Sequence, residues 1–358
     1  MVLLKGREIY MIPILMVLFA LGGTSYGMAE ESLAFYGLMI PIFMTARFDP
    51  LVAVSVIFIG TGVGTLGSTI NPFGTVIASN AASVDFISGI ELRFIILAVA
   101  LVVATAYVMH YARKVQRDPN ASLVAHLRKD HEAHFLAGKP SGDDLAPLTL
   151  AQKGVLVLFI LTFVIMIYGV SVLGWWMAEM ATLFIFMGIL CGLVGRLKED
   201  DLINSFVAGA ADLIGVALIV GVARGIVVVM EAGNITDTIL SYAESLVAGK
   251  SNVLFINTVY WIEMLLSFIV PSTSGLAVMS MPILAPLSDF ANTGRELVVT
   301  AFMSGIGTIL FVTPTYGVLM GGLAIAKIPY ITWLKFIAPL VAFFIVLNSI
   351  VLSVGVSL

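Results

Sequence analysis

The chain has 358 residues, of which 60% are hydrophobic and only 11% charged, with a formal net charge of −4. Soluble proteins carry about 25% charged residues, and a soluble globule of this length would expose large apolar patches. A soluble enzyme is therefore excluded. The single cysteine, Cys191, excludes an intramolecular disulfide, and the lack of a basic face outside one loop excludes nucleic-acid binding.

Lipid is the solvent that suits such a chain, and its 33 glycines fit too, since glycine is frequent in membrane helices. The first apolar segment, Ile9–Thr45, is interrupted at Gly22-Gly23-Thr24-Ser25-Tyr26-Gly27. Lys5 and Arg7 precede it and Arg47 follows it. Basic residues mark the cytoplasmic side, so the segment starts and ends there and reads as a re-entrant hairpin. Its mixed start, Lys5-Gly6-Arg7-Glu8, does not read as a cleavable signal. Leu51–Ser79 crosses outward and is broken from Gly64 to Pro72. Leu92–His110 crosses back.

The long polar stretch Arg113–Lys153 holds Arg113, Lys114, Arg117, Arg128, Lys129, Lys139 and Lys153, and is placed in the cytoplasm. Val155–Leu173 then goes out, Met180–Leu193 returns, and Leu202–Met230 goes out again. Asn234–Gly249 reads as an amphipathic helix at the interface. Val253–Phe290, flanked by Lys250 and Arg295 on the outer side, is a second hairpin, interrupted at Pro271-Ser272-Thr273-Ser274-Gly275. Leu297–Ala326 crosses inward with a break at Thr313-Pro314-Thr315-Tyr316-Gly317, and Thr332–Val354 crosses outward. The expected parts are a first repeat core (1–112), the cytoplasmic loop (113–153), scaffold helices with the interfacial helix (154–250) and a second repeat core (251–358).

The two cores match in order. Gly62-Val63-Gly64 recurs as Gly305-Ile306-Gly307 and Phe73-Gly74 as Tyr316-Gly317, both offset by 243. Arg93-Phe94-Ile95 recurs as Lys335-Phe336-Ile337 at 242, Pro41-Ile42 as Pro282-Ile283 at 241, and Thr24-Ser25 as Thr273-Ser274 at 249. Charge gives the copies opposite orientation. The fold class expected is thus an all-α polytopic membrane protein with inverted repeats, each holding a re-entrant hairpin and a broken transmembrane helix, an architecture that places solute between the copies. Membrane helices precede the second core at Lys153–Gly249 but not the first, so relatives are expected to carry an N-terminal scaffold that this chain lacks.

Broken backbone survives in hydrocarbon only where it is buried in protein or lines a polar cavity. Half-helix starts offer N–H groups to an anion and half-helix ends offer carbonyls to a cation. The substrate-binding candidates are Thr24, Ser68, Thr69, Asn71, Pro72, Ser272, Thr273, Thr313 and Thr315. The candidates for a coupling cation are Ser25, Gly64, Gly67, Ser274 and Gly307. No Lys or Arg lies in any break, so an anion would be held by hydroxyls and backbone N–H groups. No cofactor is expected beyond a coupling Na+ or H+. The alternative reading of the breaks is as hinges and tight helix contacts.

Two motifs of soluble enzymes occur by letter only. Gly62-x-Gly64-x-x-Gly67 lacks the βαβ context of a dinucleotide fingerprint, and Gly23-x-Ser25-x-Gly27 has no histidine near it to act as base. All four histidines lie at or in the polar loop. His131 and His134 read as solvated rather than as metal ligands. Glu30 and Glu31 either tune a cation or proton site or sit at a wet cavity edge. Glu263, like Glu30, Glu31, Asp212, Arg224 and Glu231, is an ionisable residue near or within an apolar segment. Arg224 reads as a structural partner of Asp212 or Glu231. Trp175, Trp176, Trp261 and Trp333 read as interface anchors.

Gly67-Ser68-Thr69-Ile70-Asn71-Pro72-Phe73-Gly74-Thr75, Pro271–Gly275 and Thr313–Gly317 resemble the C4-dicarboxylate anaerobic carrier family, YfcC-like branch, within the ion transporter superfamily. The likeness covers nearly the whole chain. It implies secondary active transport of a dicarboxylate-like anion or an amino acid by an elevator mechanism, in a homodimer of the bacterial inner membrane. Basic amino-acid antiport and short-chain fatty-acid carriage are the alternatives within that branch, and a passive channel is the alternative outside it. Sodium-coupled carriers of the superfamily place Ser-Asn-Thr at both hairpin tips. The matching positions, Thr24-Ser25-Tyr26 and Ser272-Thr273-Ser274, lack the asparagine.

Overall fold

The computed structural model describes residues 8–136, 149–247 and 249–357. Its regular elements are all helical among the described residues, and five of its helices are long and apolar enough to cross a membrane. Contacts divide the chain into two units, residues 1–137 with 216–358 and residues 138–215.

In the first unit one order of elements occurs twice. A pair of helices comes first, α1 (Met11–Tyr26) with α2 (Tyr36–Thr45), and later α12 (Asn252–Ile269) with α13 (Thr273–Phe290). A helix broken midway follows each pair. The first is α3 (Pro50–Val54), a π-helical turn at Ser55–Ile59 and α4 (Gly60–Leu66), then a break, a second π-helical turn at Pro72–Val76 and α5 (Ile77–Ala82). The second is α14 (Arg295–Ile309), a break and α15 (Gly317–Ile325). A long helix closes each set, α6 (Ile90–Arg117) and α16 (Tyr330–Gly355).

Local chemistry fixes the ends. Gly27, at φ 75°, terminates α1 with its N–H on Gly22 O, a left-handed stop that glycine takes without strain. Asp49 caps α3 by accepting from Val52 N at 2.9 Å, and Pro50 supplies the first turn.

Small residues then let the helices approach, the usual source of association in lipid. Helix α1 packs on α4, where a Cβ on Gly23 would lie 2.2 Å from Thr61 O and one on Gly64 2.3 Å from Ala20 O. Helix α12 packs on α14 likewise, and a Cβ on Gly305 would lie 3.1 Å from Tyr260 O. The glycines facing their own hairpins are therefore Gly64 and Gly305, offset by 241 and not by the 243 read from the letters. Gly62 instead faces the Phe311 ring, and Gly307 faces Leu66 where α4 crosses α14. The second halves are exchanged: α5 packs on α13, and α15 on the segment Glu30–Phe35 and on α2.

Two side chains expected at polar boundaries are interior. Trp333 is fully buried, its ring against Phe58 and its N–H on a backbone carbonyl. His131, on α7 (Arg128–Phe135), is 1% exposed, with Nε2 3.1 Å from Lys327 O. A backbone acceptor in reach of each ring outweighed the preference for the interface or for water. Helix α11 (Ile235–Val247) packs on α12 and α13.

The second unit contains α8 (Leu150–Leu173), α9 (Met177–Val194) and the start of α10 (Glu199–Ala232), with α8 packed on α9. Thr149 and Gln152 form a capping box on α8 at 3.3 and 2.9 Å. The side chains of Asp212, Arg224 and Glu231 lie outside the described residues, so the expected pairing does too.

Candidate functional site

The first hairpin tip is stitched to the first broken helix by one hydroxyl. Thr24 Oγ1 donates to Gly67 O at 3.0 Å, accepts from Thr69 N at 2.9 Å and lies 3.0 Å from Thr69 Oγ1. Ile70 N donates to Thr24 O at 3.2 Å. Within the break, Thr75 Oγ1 donates to Ser68 Oγ at 2.8 Å. Asn71 Oδ1 accepts from Phe73 N and Gly74 N at 2.9 and 3.2 Å, capping the second half-helix at Pro72. The turn of the hairpin lies on this asparagine, because a Cβ on Gly27 would be 2.5 Å from Asn71 Oδ1. The second hairpin tip reaches the same place. A Cβ on Gly74 would be 3.0 Å from Thr273 Cγ2. Three of the four breaks thus meet around Thr24, Ser68, Thr69, Asn71 and Thr273.

The fourth break is dressed differently. Trp333 Nε1 donates to Phe311 O at 2.8 Å, Tyr330 Oη to Val312 O at 2.5 Å and Thr313 Oγ1 to Ile309 O at 2.9 Å. The carbonyls at and just past the end of α14, those of Ile309, Phe311 and Val312, therefore accept from side chains. Phe58, Phe311, Phe344 and Trp333 surround them, with ring centroids 5.5–5.8 Å apart. Thr315 Oγ1 is buried without a hydrogen-bond partner. Between this break and the others is a cavity of about 20 Å³ lined by Met28, Thr61, Thr65, Gly307 and Tyr316, room for about one water.

The remaining expected site residues are more dispersed. Ser25 Oγ donates to Leu21 O on its own helix at 2.5 Å. Ser272 caps α13 by accepting from Gly275 N at 3.3 Å. Gly64 and Gly307 serve close packing, and Gly67 O is already held by Thr24. Ser274 is half-buried on the first turn of α13. Thr75 and Gly27 were not singled out from the sequence. The clue to Thr75 was a hydroxyl one turn beyond a broken-helix proline, where it can turn back to the break. Glu31 accepts from Ala29 N at 3.1 Å just past the first tip.

A larger cavity, about 450 Å³, lies elsewhere in the same unit, lined by Arg47, Asp49, Arg117, Arg128, His131 and Glu132. Burial pushes the Asp49 carboxyl above its ordinary range, opposed by hydrogen bonds from Ser122, Tyr111 and Val52. Those bonds, at 2.5, 2.7 and 2.9 Å, tie the start of α3 to α6 and the loop beyond it. No group of three or more metal-ligating side chains is found among the described residues.

The family model of the C4-dicarboxylate anaerobic carrier matches residues 2–357. A Haemophilus influenzae protein, itself described as uncharacterized, is 40% identical over 99% of this chain and 69% of its own length. An Escherichia coli K12 protein, "Putative basic amino acid antiporter YfcC", is 32% identical over 97% of this chain and 70% of its own. Among solved structures, the YdaH transporter of Alcanivorax borkumensis superposes with TM-score 0.53 over 99% of this chain and 81% of its own, at 14% identity. Neisseria gonorrhoeae MtrF, described as an antimetabolite efflux pump, superposes with TM-score 0.51 over 97% and 74%, at 16% identity.

Proposed function

Because this chain belongs to the C4-dicarboxylate anaerobic carrier family, and is therefore a membrane transporter and not an enzyme, we propose that it is a secondary active carrier of a small organic anion or amino acid. One observation carries the reading. Both hairpin tips meet the first broken helix at a cluster of hydroxyls and a capping asparagine, with no lysine or arginine in any break. An anionic group would be held there by Thr24, Ser68, Thr69, Asn71 and Thr273, and by the N–H groups of Phe73 and Gly74 in exchange for their bonds to Asn71 Oδ1. Each neutral hydrogen bond contributes only about 0.5–1.5 kcal/mol net, so binding is expected to be weak unless a coupling ion assists it. The internal bonds of Thr24 would be exchanged for bonds to solute, which makes tip and break a gate.

The doubled order of elements, with second halves exchanged between hairpins, supports an inverted repeat working as an elevator. The protein is proposed to act as a homodimer in the bacterial inner membrane. A second reading, basic amino-acid antiport, is favoured by the name of the E. coli relative and by Glu30 and Glu31 beside the first tip. Counterflow in proteoliposomes with labelled fumarate, lysine or butyrate is the test. A carrier is trans-stimulated by internal solute, whereas flux indifferent to internal solute means a channel. Impermeant thiol labelling at Asn120→Cys and Asn292→Cys, in a Cys191→Ser background, tests orientation, and equal labelling of both from intact cells removes the inverted repeat.

A further inference from the structure

Helix α12 carries one carboxyl side chain, Glu263, and it is 0% exposed. Both of its oxygens are without a hydrogen-bond partner. Its helix neighbours Tyr260, Ile262, Met264 and Leu266 belong to a buried cluster with Leu276, Met281, Phe302 and Ile306. The Glu263 Cβ would be 3.4 Å from a Cβ placed on Gly305, so the carboxyl stands at the seam where α12 packs on the first half of the broken helix. Ser280 on α13 faces it across the hairpin. The Ser280 hydroxyl hydrogen is directed to Leu276 O at 2.9 Å, which leaves its oxygen as an acceptor.

Among the described residues no cation compensates this carboxyl. Helix α13 has no Lys, Arg or His, and its one charged residue, Asp289, pairs with Arg295 at the far end. Helix α14 carries charge only at Arg295 and Glu296, about three turns before Gly305. The only charged residue of α16, Lys335, lies about 20 Å along the helix from Asn348, which touches Tyr260. Helix α11 has acidic residues alone, and Tyr260 Oη lies 3.2 Å from Thr308 Oγ1. An ionised carboxylate without a donor or counter-charge is strongly disfavoured in such a place. A protonated carboxyl is not, because it can donate to Ser280.

We propose that Glu263 is the proton-binding site of this carrier, keeping its proton while the seam between α12 and α14 is closed and exchanging it with water when hairpin movement opens the seam. The equivalent stretch of the first hairpin, around Gly22 and Gly23, holds no carboxyl, so one proton would move per cycle. This rests on the transport reading above and adds the coupling ion to it.

The experiment uses the full chain in sodium-free proteoliposomes, as parent, Glu263→Gln and Glu263→Asp. Without any solute, the parent is expected to show the infrared carbonyl band of a protonated carboxylic acid at neutral pH, and E263Q to lose it. A band unchanged in E263Q overturns the proposal. With whichever of fumarate, lysine or butyrate the parent exchanges, E263Q is expected to keep exchange at equal pH and to lose accumulation driven by a pH gradient. Gradient-driven accumulation by E263Q at the parent ratio also overturns it. If E263Q does not fold, E263D decides, with a displaced pH dependence of accumulation in support and an unmoved one against. A parent that exchanges none of the three solutes counts against the transport reading, and the infrared difference then judges Glu263 by itself.

Discussion

The two broken helices differ in what closes their breaks. In the first, the hydrogen-bonding groups are hydroxyls and an amide: Thr24 from the hairpin, Thr75 and Asn71 from the helix itself. In the second, the donors to the carbonyls just past the end of α14 include an indole and a phenol, with packed rings around them. Hydroxyl pairs exchange partners at little cost, because water or a solute offers the same bonds. An indole N–H fixed by ring packing cannot leave without emptying the volume it fills. One break is suited to opening and the other to holding still.

This contrast can be broken by substitution. The largest effect is expected for Asn71→Ala, which removes the cap of the second half-helix and the seat of the Gly27 turn. Uptake should be abolished while stability falls by only about 0.5–2 kcal/mol. Thr24→Val removes the hydroxyl that joins tip to break and should cut uptake severely, with Thr273→Ala next. If Asn71→Ala and Thr273→Ala both transport at the parent rate with unchanged apparent affinity, the assignment of the polar break to solute is wrong. Trp333→Phe should act the other way. It leaves the buried Phe311 carbonyl unpaired, lowers stability by about 1–3 kcal/mol and leaves uptake per folded molecule unchanged. Abolished uptake in a fully stable Trp333→Phe protein would reverse the roles of the two breaks. The smallest effect is expected for Tyr330→Phe, about 0.5–1.5 kcal/mol of stability with no change in transport.

Glycine, proline and hydroxyl residues clustered inside apolar runs located all four interruptions, because each residue type ends a helix by its own backbone chemistry. The helix pairs and long helices followed from the spacing between those clusters and mostly fall within a few residues of the observed ends. But α6 runs on to Arg117, about two turns past the expected His110 and into the stretch read as loop, and α8 starts at Leu150, five residues before Val155. What the letters could not supply was partnership. Gly64 and Gly307 were read as sources of carbonyls for a cation, and the letters did not show that both also let backbone approach backbone. Ser25 looked like its neighbour Thr24, but the helix turns it onto Leu21 O instead. Trp333 carried no sign of the carbonyl waiting for it. Burial of His131 depended on Lys327, nearly two hundred residues away, and no local pattern encodes that distance.

The crossing of Leu66 and Gly307 has a further consequence. The offset of 241 that relates Gly64 to Gly305 also relates Leu66 to Gly307, so the two residues that touch are each other's counterparts. A contact between counterparts has no second copy elsewhere. A methyl group added at Gly307, whose Cβ would come 2.4 Å from Leu66 Cα, would press on the last turn before the polar break and on the approach to the aromatic one together. A single added methyl at this crossing would thus be felt at both breaks at once.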